Sequence, residues 1–218
     1  MTEVYIGSVL GLCDERRFRE LYERVPEHRQ KKIDKIRFEK DKRLCLGAWL
    51  LLEQALAARG IDRASLEVAC APGGKPYLTK HPEVFFSLSH SGEQVMCAVS
   101  TAEVGCDVEE IRGLDLKLAK RFFSAPEYAA ILACPNEEAQ RQMFFRLWTL
   151  KESFMKAVGL GLALPMQDFS VDPETLQVCQ QVATEKCYWF REYTRDPRYR
   201  YACCSEAEDF SDAVTVML

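Results

Sequence analysis

The spacing of apolar and polar residues predicts a run of short elements and one long helix in the first hundred residues. The long helix spans residues 40–58, with an apolar stripe at Leu44, Ala48, Leu51, Leu52 and Ala55, and Gly60 ends it. The other predicted elements are a strand at 3–10, short helices at 14–24 and 26–36, and strands near 84–89 and 94–100, joined at Ser91-Gly92.

The remaining residues repeat this order of strand, helices and strands. The predicted elements are a strand at 103–110, helices at about 115–122 and 137–157, and several strands within 168–218. A capping box at Ser124–Glu127 begins a further helix, and Gly159 and Gly161 follow the long one.

The two long helices share a short sequence pattern. Trp49–Glu53 and Trp148–Glu152 share the pattern W-x-L-x-E. The pattern is short enough to arise by chance between two amphipathic helices. Together with the order of elements, it predicts two similar α/β halves, residues 1–101 and 102–218, packed into one α/β (α+β) unit.

Composition and charge exclude some classes of protein. The 218 residues have a formal net charge of −4, which argues against broad binding to nucleic acid, although residues 28–43 are strongly basic. No stretch has the roughly 20 apolar residues of a membrane span, and the N-terminal residues do not read as a signal peptide. The ten cysteines are scattered and include no CxxC pair, which favours reduced cysteines in a cytoplasmic protein.

Two carboxylates share one face of the predicted strand at 103–110. Side chains alternate along a strand, so Asp107 and Glu109 point one way while Val104, Cys106 and Val108 point into a core. Neighbouring carboxylates repel unless a cation lies between them, and a hard divalent cation prefers oxygen ligands. The alternative is a solvated strand face, for which D-x-E is common.

The second long helix has a polar face of its own. Trp148, Glu152 and Lys156 are spaced i, i+4, i+8, and Lys151 lies close to that stripe. The spacing alone favours an ordinary Glu–Lys surface pair.

Two further residues are candidates for binding phosphate. His90 follows the strand near 84–89, and Arg43 lies near the start of the long helix at 40–58. The alternatives are a core histidine satisfied locally and a solvated charged face.

In combination the motifs resemble one family. The segments FSLSHSG, GCDVEEI and LWTLKESFMKAVGLGL occur in that order, with the basic stretch and the GGKPY turn before them. They resemble the 4'-phosphopantetheinyl transferases of the surfactin-synthetase-activating type, from about residue 4 to residue 205. The resemblance implies a pseudo-dimer of two halves, each a small, mostly antiparallel sheet packed with helices, with coenzyme A in the cleft between them.

The resemblance also implies roles for individual residues. Asp107, Glu109 and Glu152 would bind Mg²⁺, with Mn²⁺ as the alternative ion. The catalytic residues would be Glu152, Lys156 and Asp107, with Glu152 binding the metal or acting as the base and Lys156 near the pyrophosphate bridge of coenzyme A. The residues implied to contact coenzyme A are His28, Lys31, Arg43, Lys75, Pro76, Ser89, His90, Lys151 and Lys156. Two positions depart from the relatives: His28 replaces a lysine, and Leu44 stands where a hydroxyl residue can help bind phosphate.

The implied partner is an apo peptidyl or acyl carrier protein, whose serine accepts phosphopantetheine from coenzyme A as 3',5'-ADP leaves. Residues 112–125 would dock it through Leu116, Leu118, Phe122 and Phe123, with Lys117, Lys120 and Arg121 around them. An ordinary amphipathic core helix is the alternative for this segment.

The chain length implies the monomeric type that serves secondary metabolism. Two other functions stay open: another magnesium-dependent nucleotide enzyme, such as a phosphodiesterase or nucleotidyl transferase, and a non-catalytic module that binds carrier proteins.

Overall fold

The first half begins with a strand, continues through three α-helices and ends in two β-hairpins. The computed structural model describes residues 1–179 and 186–218. The elements of the first half are β1 (Glu3–Ser8), α1 (Glu15–Tyr22), α2 (Glu27–Asp34), α3 (Glu39–Ala58), β2 (Val68–Cys70), β3 (Pro76–Leu78), β4 (Phe85–Ser91) and β5 (Gln94–Ser100). β1 ends earlier than predicted, because Val9–Cys13 turns into a 3₁₀ helix capped by the Ser8 side chain.

The second half has the same order of elements. They are β6 (Val104–Glu110), α4 (Leu116–Phe122), α5 (Ala125–Leu132), α6 (Glu137–Val158), β7 (Ser170–Asp172), β8 (Gln177–Cys179), β9 (Trp189–Tyr193), β10 (Tyr199–Ser205) and β11 (Val214–Met217). Residues 180–185, inside the stretch predicted to be β-rich, lie outside the described residues. The predicted capping box is present, since the Ser124 N–H donates to Glu127 Oε2.

The strand pairing supports the prediction of two similar halves. In each half the first strand pairs antiparallel with the last long strand, which pairs antiparallel with the strand before it: β1-β5-β4 and β6-β10-β9. Each half also has a separate two-stranded hairpin, β2-β3 or β7-β8. The mixed α/β fold class predicted from the sequence is confirmed.

The last strand departs from the predicted division at residue 101. β11 runs back and pairs parallel with β1, with Val214 opposite Tyr5. It therefore belongs to the sheet of the first half, not to that of the second. A physical reason is that β11 covers the edge of β1 that would otherwise expose unpaired backbone groups.

The two sheets and their long helices form four layers. α3 packs on the first sheet, where Leu51, Leu52 and Phe86 are buried. α6 packs on the second sheet through residues such as Leu150 and Phe154. Between the sheets, Val4 and Ile6 of the first meet apolar residues of β6 and β10, so the halves share a continuous core. Among the described residues, no helix is both long and apolar enough to cross a membrane.

Candidate functional site

Helix α6 lies directly against β6 because residue 105 is a glycine. A Cβ at this position would overlap the Ser153 carbonyl oxygen and the Ala157 backbone nitrogen of α6. Such overlap with backbone atoms cannot be relieved by a side-chain rotation. Gly105 therefore allows α6 to bring Glu152 and Lys156 to the β6 face that holds Asp107 and Glu109.

Asp107 lies at the centre of this arrangement and is only 3% exposed. Lys156 Nζ donates to Asp107 Oδ1 at 2.6 Å, and the Ser89 hydroxyl donates to the same oxygen at 2.7 Å. The second oxygen, Oδ2, is buried and has no hydrogen-bond partner among the described residues. A buried carboxylate oxygen without a donor is costly, so this atom is suited to a ligand.

The ionisable groups around Asp107 have shifted pKa values. Burial raises the pKa of Glu109, the hydrogen bond from Ser91 opposes that, and the charge of Asp107 raises it again. Burial raises the pKa of Glu152 first, and the charge of Asp107 adds to this. Burial is the largest single influence on Lys156 and would lower its pKa, but the charge of Asp107, its hydrogen bond and the neighbouring Cys106 and Glu152 together raise it, so the net shift is upward. The three carboxylates therefore share a site in which negative charge is in excess.

Three serines of β4 join the two halves at this site. Ser87, Ser89 and Ser91 accept hydrogen bonds from the backbone N–H groups of alternate β6 residues, Cys106, Val108 and Glu110, at 3.0, 3.3 and 3.1 Å. This set of contacts is called the serine ladder below. It takes the place of backbone pairing between β4 and β6 and fixes the strand of the first half against the carboxylates of the second.

The chemistry of the donor set suits a divalent cation. Among the described residues, no group of three or more Asp, Glu, His or Cys side chains is arranged to hold a metal ion. The fit is chemical: the donors are carboxylate oxygens, which Mg²⁺ prefers, and Asp107 Oδ2 is buried without a partner.

A cleft of about 300 Å³ opens beside these residues, between the two halves. Glu152 and Lys156 line it from α6, and the loop with Lys75 and Pro76 lines it from the first half. Lys75 Nζ is not free in this structure: it pairs with Glu103 at 2.5 Å and donates to the Ala157 carbonyl oxygen at 2.6 Å. Lys75 thus ties the first half to the C-terminal end of α6.

The other basic candidates lie away from this cleft or at its edge. His90 is exposed at the end of β4, where desolvation and the nearby Lys156 lower the pKa of its ring. Arg43 lines a separate groove of about 740 Å³ next to α1. His28 and Lys31 are exposed on α2, with the His28 ring 5.7 Å from that of Trp49 and Lys31 paired to Glu27. Their predicted contacts with coenzyme A stay predictions.

Lys151 was predicted to contact coenzyme A, but its side chain does not reach the cleft, so that prediction is corrected. Its side chain is 0% exposed, and Nζ lies 2.8 Å from both carboxylate oxygens of Glu127 and 2.5 Å from the Phe169 carbonyl oxygen. Three acceptors already satisfy its three donors. Helical spacing placed Lys151 close to the stripe of Trp148, Glu152 and Lys156, but one residue along a helix turns a side chain by about 100°, and Lys151 points away from the cleft.

The segment predicted to dock a partner is only partly exposed. Leu116 and Leu118 of α4 are 36% and 44% exposed. Phe123 is 3% exposed and packs against Phe144, so it belongs to the core of the second half. The predicted apolar contact is therefore reduced to the leucines and the half-buried Phe122.

Several residues of the site were not identified from the sequence. Ser87 and Ser91 had a detectable signal, since Ser87, Ser89 and Ser91 alternate on one strand face. The pairing of Glu103 with Lys75 and of Glu127 with Lys151 had none, because the two residues of each pair are at least 24 positions apart.

Comparison with known proteins gives matches across almost the whole chain. Residues 103–204 match the model of the 4'-phosphopantetheinyl transferase superfamily, and residues 13–102 match a 4'-phosphopantetheinyl transferase N-terminal model. A 4'-phosphopantetheinyl transferase of Bacillus subtilis is 35% identical over 79% of this chain and 77% of its own length. Sfp of B. subtilis strain 168 is 33% identical over 98% of this chain and 95% of its own, and gsp of Aneurinibacillus migulanus is 30% identical over 94% and 86%.

The chain therefore belongs to the 4'-phosphopantetheinyl transferase family. Its activity is the transfer of phosphopantetheine to carrier proteins, with coenzyme A as the substrate. The resemblance found in the sequence motifs is confirmed.

Proposed function

We propose that this transferase moves the 4'-phosphopantetheine group from coenzyme A to a serine hydroxyl of an apo peptidyl or acyl carrier protein. Asp107, Glu109 and Glu152 would hold Mg²⁺, and Lys156 and Glu152 would act on the reacting atoms. The observation that supports the proposal most strongly is the buried Oδ2 of Asp107, which has no hydrogen-bond partner among the described residues and belongs to a carboxylate paired with Lys156, a residue that lines the inter-half cleft.

The proposed reaction is one displacement at phosphorus. The serine oxygen bonds to the phosphorus next to pantetheine, and the bond from that phosphorus to the bridging oxygen of the pyrophosphate breaks. Adenosine 3',5'-bisphosphate leaves with the electron pair. The ammonium group of Lys156 would stabilise the negative charge that develops on the leaving oxygen.

Glu152 is the proposed acceptor of the serine proton. Burial and the charge of Asp107 raise its pKa, which makes its carboxylate a stronger base than an exposed glutamate. A bound Mg²⁺ would neutralise charge on the phosphoryl oxygens. Because Mg²⁺ keeps several of its waters in proteins, Glu152 would not need to bind the ion directly and would remain able to accept the proton.

The proposed partner approaches over α4, whose exposed leucines adjoin Lys117, Lys120 and Arg121. A basic rim suits the acidic helical bundle of a carrier protein. We also propose that the enzyme acts as a monomer on carrier domains of nonribosomal peptide or polyketide synthases, in antibiotic biosynthesis in the cytoplasm. The support for this setting is the similarity to Sfp and gsp.

Glu152→Gln tests whether Glu152 accepts the serine proton. Loss of the proton acceptor should lower kcat by about 100-fold or more, measured by single-turnover transfer to an apo carrier protein. Glu53→Gln is the matched control, because Glu53 has the equivalent place in the W-x-L-x-E pattern but pairs with Arg63 outside the cleft. Near-normal turnover of Glu152→Gln would exclude Glu152 as the base.

A further inference from the structure

The three serines of the serine ladder are not equivalent. All three accept a backbone N–H of β6, but two of them also donate to a carboxylate. Ser89 donates to Asp107 Oδ1 and Ser91 donates to Glu109 Oε2, each at 2.7 Å. Among the described residues, the Ser87 hydroxyl has no carboxylate partner. The ladder therefore joins the halves at three points and fixes carboxylates at two of them.

Ser91 is itself held in place by the second half. Its hydroxyl oxygen accepts from the Glu110 backbone N–H at 3.1 Å and from Arg112 Nη2 at 3.4 Å. The turn that follows is fixed as well, because the Glu93 N–H donates to the Tyr199 hydroxyl at 3.0 Å. Gly92 has a φ of 59° and lies so close to Tyr199 that a side chain would overlap it.

A hydroxyl with both acceptor sites in use can direct its single proton to one place only. In Ser91 that place is Glu109 Oε2. The contact restricts the rotation of the Glu109 side chain and leaves its second oxygen for another ligand. Residues that orient metal ligands in this way change metal affinity without touching the metal.

We propose that Ser91 is a positioning residue that orients Glu109 for binding the divalent cation. The inference rests on the proposed metal site. It adds that the first half of the molecule, through β4, sets the geometry of carboxylates that belong to the second half. Ser87 is expected to hold the strands together without affecting the metal.

The test is a titration of the whole protein with Mn²⁺ in the presence of coenzyme A and without carrier protein, following free Mn²⁺ by electron paramagnetic resonance. Ser91→Ala should weaken Mn²⁺ binding about 10-fold. Ser91→Thr, which keeps the hydroxyl, should recover most of the affinity. Ser87→Ala, which loses a ladder contact of the same kind, should bind within about twofold of the unmodified protein, since it orients no ligand.

A turnover measurement separates positioning from general damage. In Ser91→Ala the Mg²⁺ concentration for half-maximal transfer should rise by the same factor, with the KM for coenzyme A unchanged. The unfolding temperature should fall in both Ser87→Ala and Ser91→Ala, because each leaves a backbone N–H of β6 without its acceptor.

The outcomes distinguish this inference from the proposed function. If Asp107→Ala loses Mn²⁺ binding while Ser91→Ala binds like the unmodified protein, the metal site stands and the positioning role is wrong. Equal weakening in Ser87→Ala and Ser91→Ala would also overturn it, since strand separation would then explain both. If Asp107→Ala binds Mn²⁺ normally, the metal site itself fails, and the inference fails with it.

Discussion

At the scale of single residues, Lys156 is the group on which the site depends most. It contacts Asp107 Oδ1, the Ser89 hydroxyl and the Cys106 carbonyl oxygen at once, so its ammonium group is fixed without any ligand. A charge that is already oriented costs no reorganisation when negative charge develops nearby. Lys156 is thus preorganised for phosphoryl transfer.

Lys156→Met should lower kcat by about 100-fold or more, because the fixed positive charge at the leaving oxygen is lost. Lys156→Arg should recover only part of the rate, since a planar guanidinium does not match the geometry of an ammonium. Lys80→Met is the control, because Lys80 is exposed and, within the described part of the chain, its ion pair is with Glu67. Transfer kinetics within about threefold of normal in Lys156→Met would contradict the role.

The sequence predicts some of these residue contacts and not others. Alternation along β6 is enough to place Asp107 and Glu109 on one face, opposite Val108. Helical spacing brings Glu152 and Lys156 together. Neither pattern reveals that the Asp107 Oδ2 atom is unpartnered or that Lys75 pairs with Glu103, because both depend on how the halves dock.

At the scale of elements, the contact between α6 and β6 decides whether the site forms. Gly105 makes this contact possible, because backbone atoms of α6 occupy the space of a side chain. Strand β6 in turn pairs with β10, so a shift of β6 would disturb the second sheet.

Gly105→Ala should destabilise the protein by about 2 kcal/mol or more, since a new methyl group meets backbone that cannot give way. Gly113→Ala is the matched control, because the space around Gly113 is open. Urea unfolding measures both variants. Equal stability of Gly105→Ala and Gly113→Ala would mean that α6 can move off β6 freely.

The buried Lys151–Glu127 pair holds α5 against α6. Both side chains are almost completely buried, and Glu127 Oε1 also accepts from the Val171 N–H of β7. The pair therefore connects α5, α6 and β7. Lys151 lies in the sequence motif and has a shifted pKa, but its role is to stabilise the second half. Desolvation lowers the pKa of Lys151, and Glu127 opposes that.

Lys151→Met should cost about 3–5 kcal/mol of unfolding free energy, because it leaves the Glu127 carboxylate buried without a counter-charge. Denaturant unfolding of the double variant Lys151→Met/Glu127→Gln supplies the comparison. The double variant should lose less than the single one, since no uncompensated charge remains. A single variant as stable as the unmodified protein would show that the pair is dispensable.

Periodicity explains why the elements themselves were well predicted. α3 and α6 have apolar residues at helical spacing, and both lie within one residue of their predicted bounds at each end. The partner of a strand is not encoded in its own pattern. β11 was predicted as a strand, but its pairing with β1 was not, because the two lie at opposite ends of the chain.

At the scale of the whole molecule, two similar halves contribute different parts of one site. The first half supplies the serine ladder and the loop with Lys75, whereas the second supplies the carboxylates and Lys156. The W-x-L-x-E repeat shows this divergence directly. Glu53 pairs with Arg63 on the first half, but Glu152 lines the cleft.

The most direct test of the account is the intact mass of an apo peptidyl carrier protein after incubation with this protein, coenzyme A and Mg²⁺. We expect a gain of one phosphopantetheine group, abolished by EDTA, by carrier Ser→Ala and by Asp107→Ala of the enzyme. An unchanged mass on several carriers, or a gain that persists in EDTA and in Asp107→Ala, would contradict the proposed metal-dependent transfer.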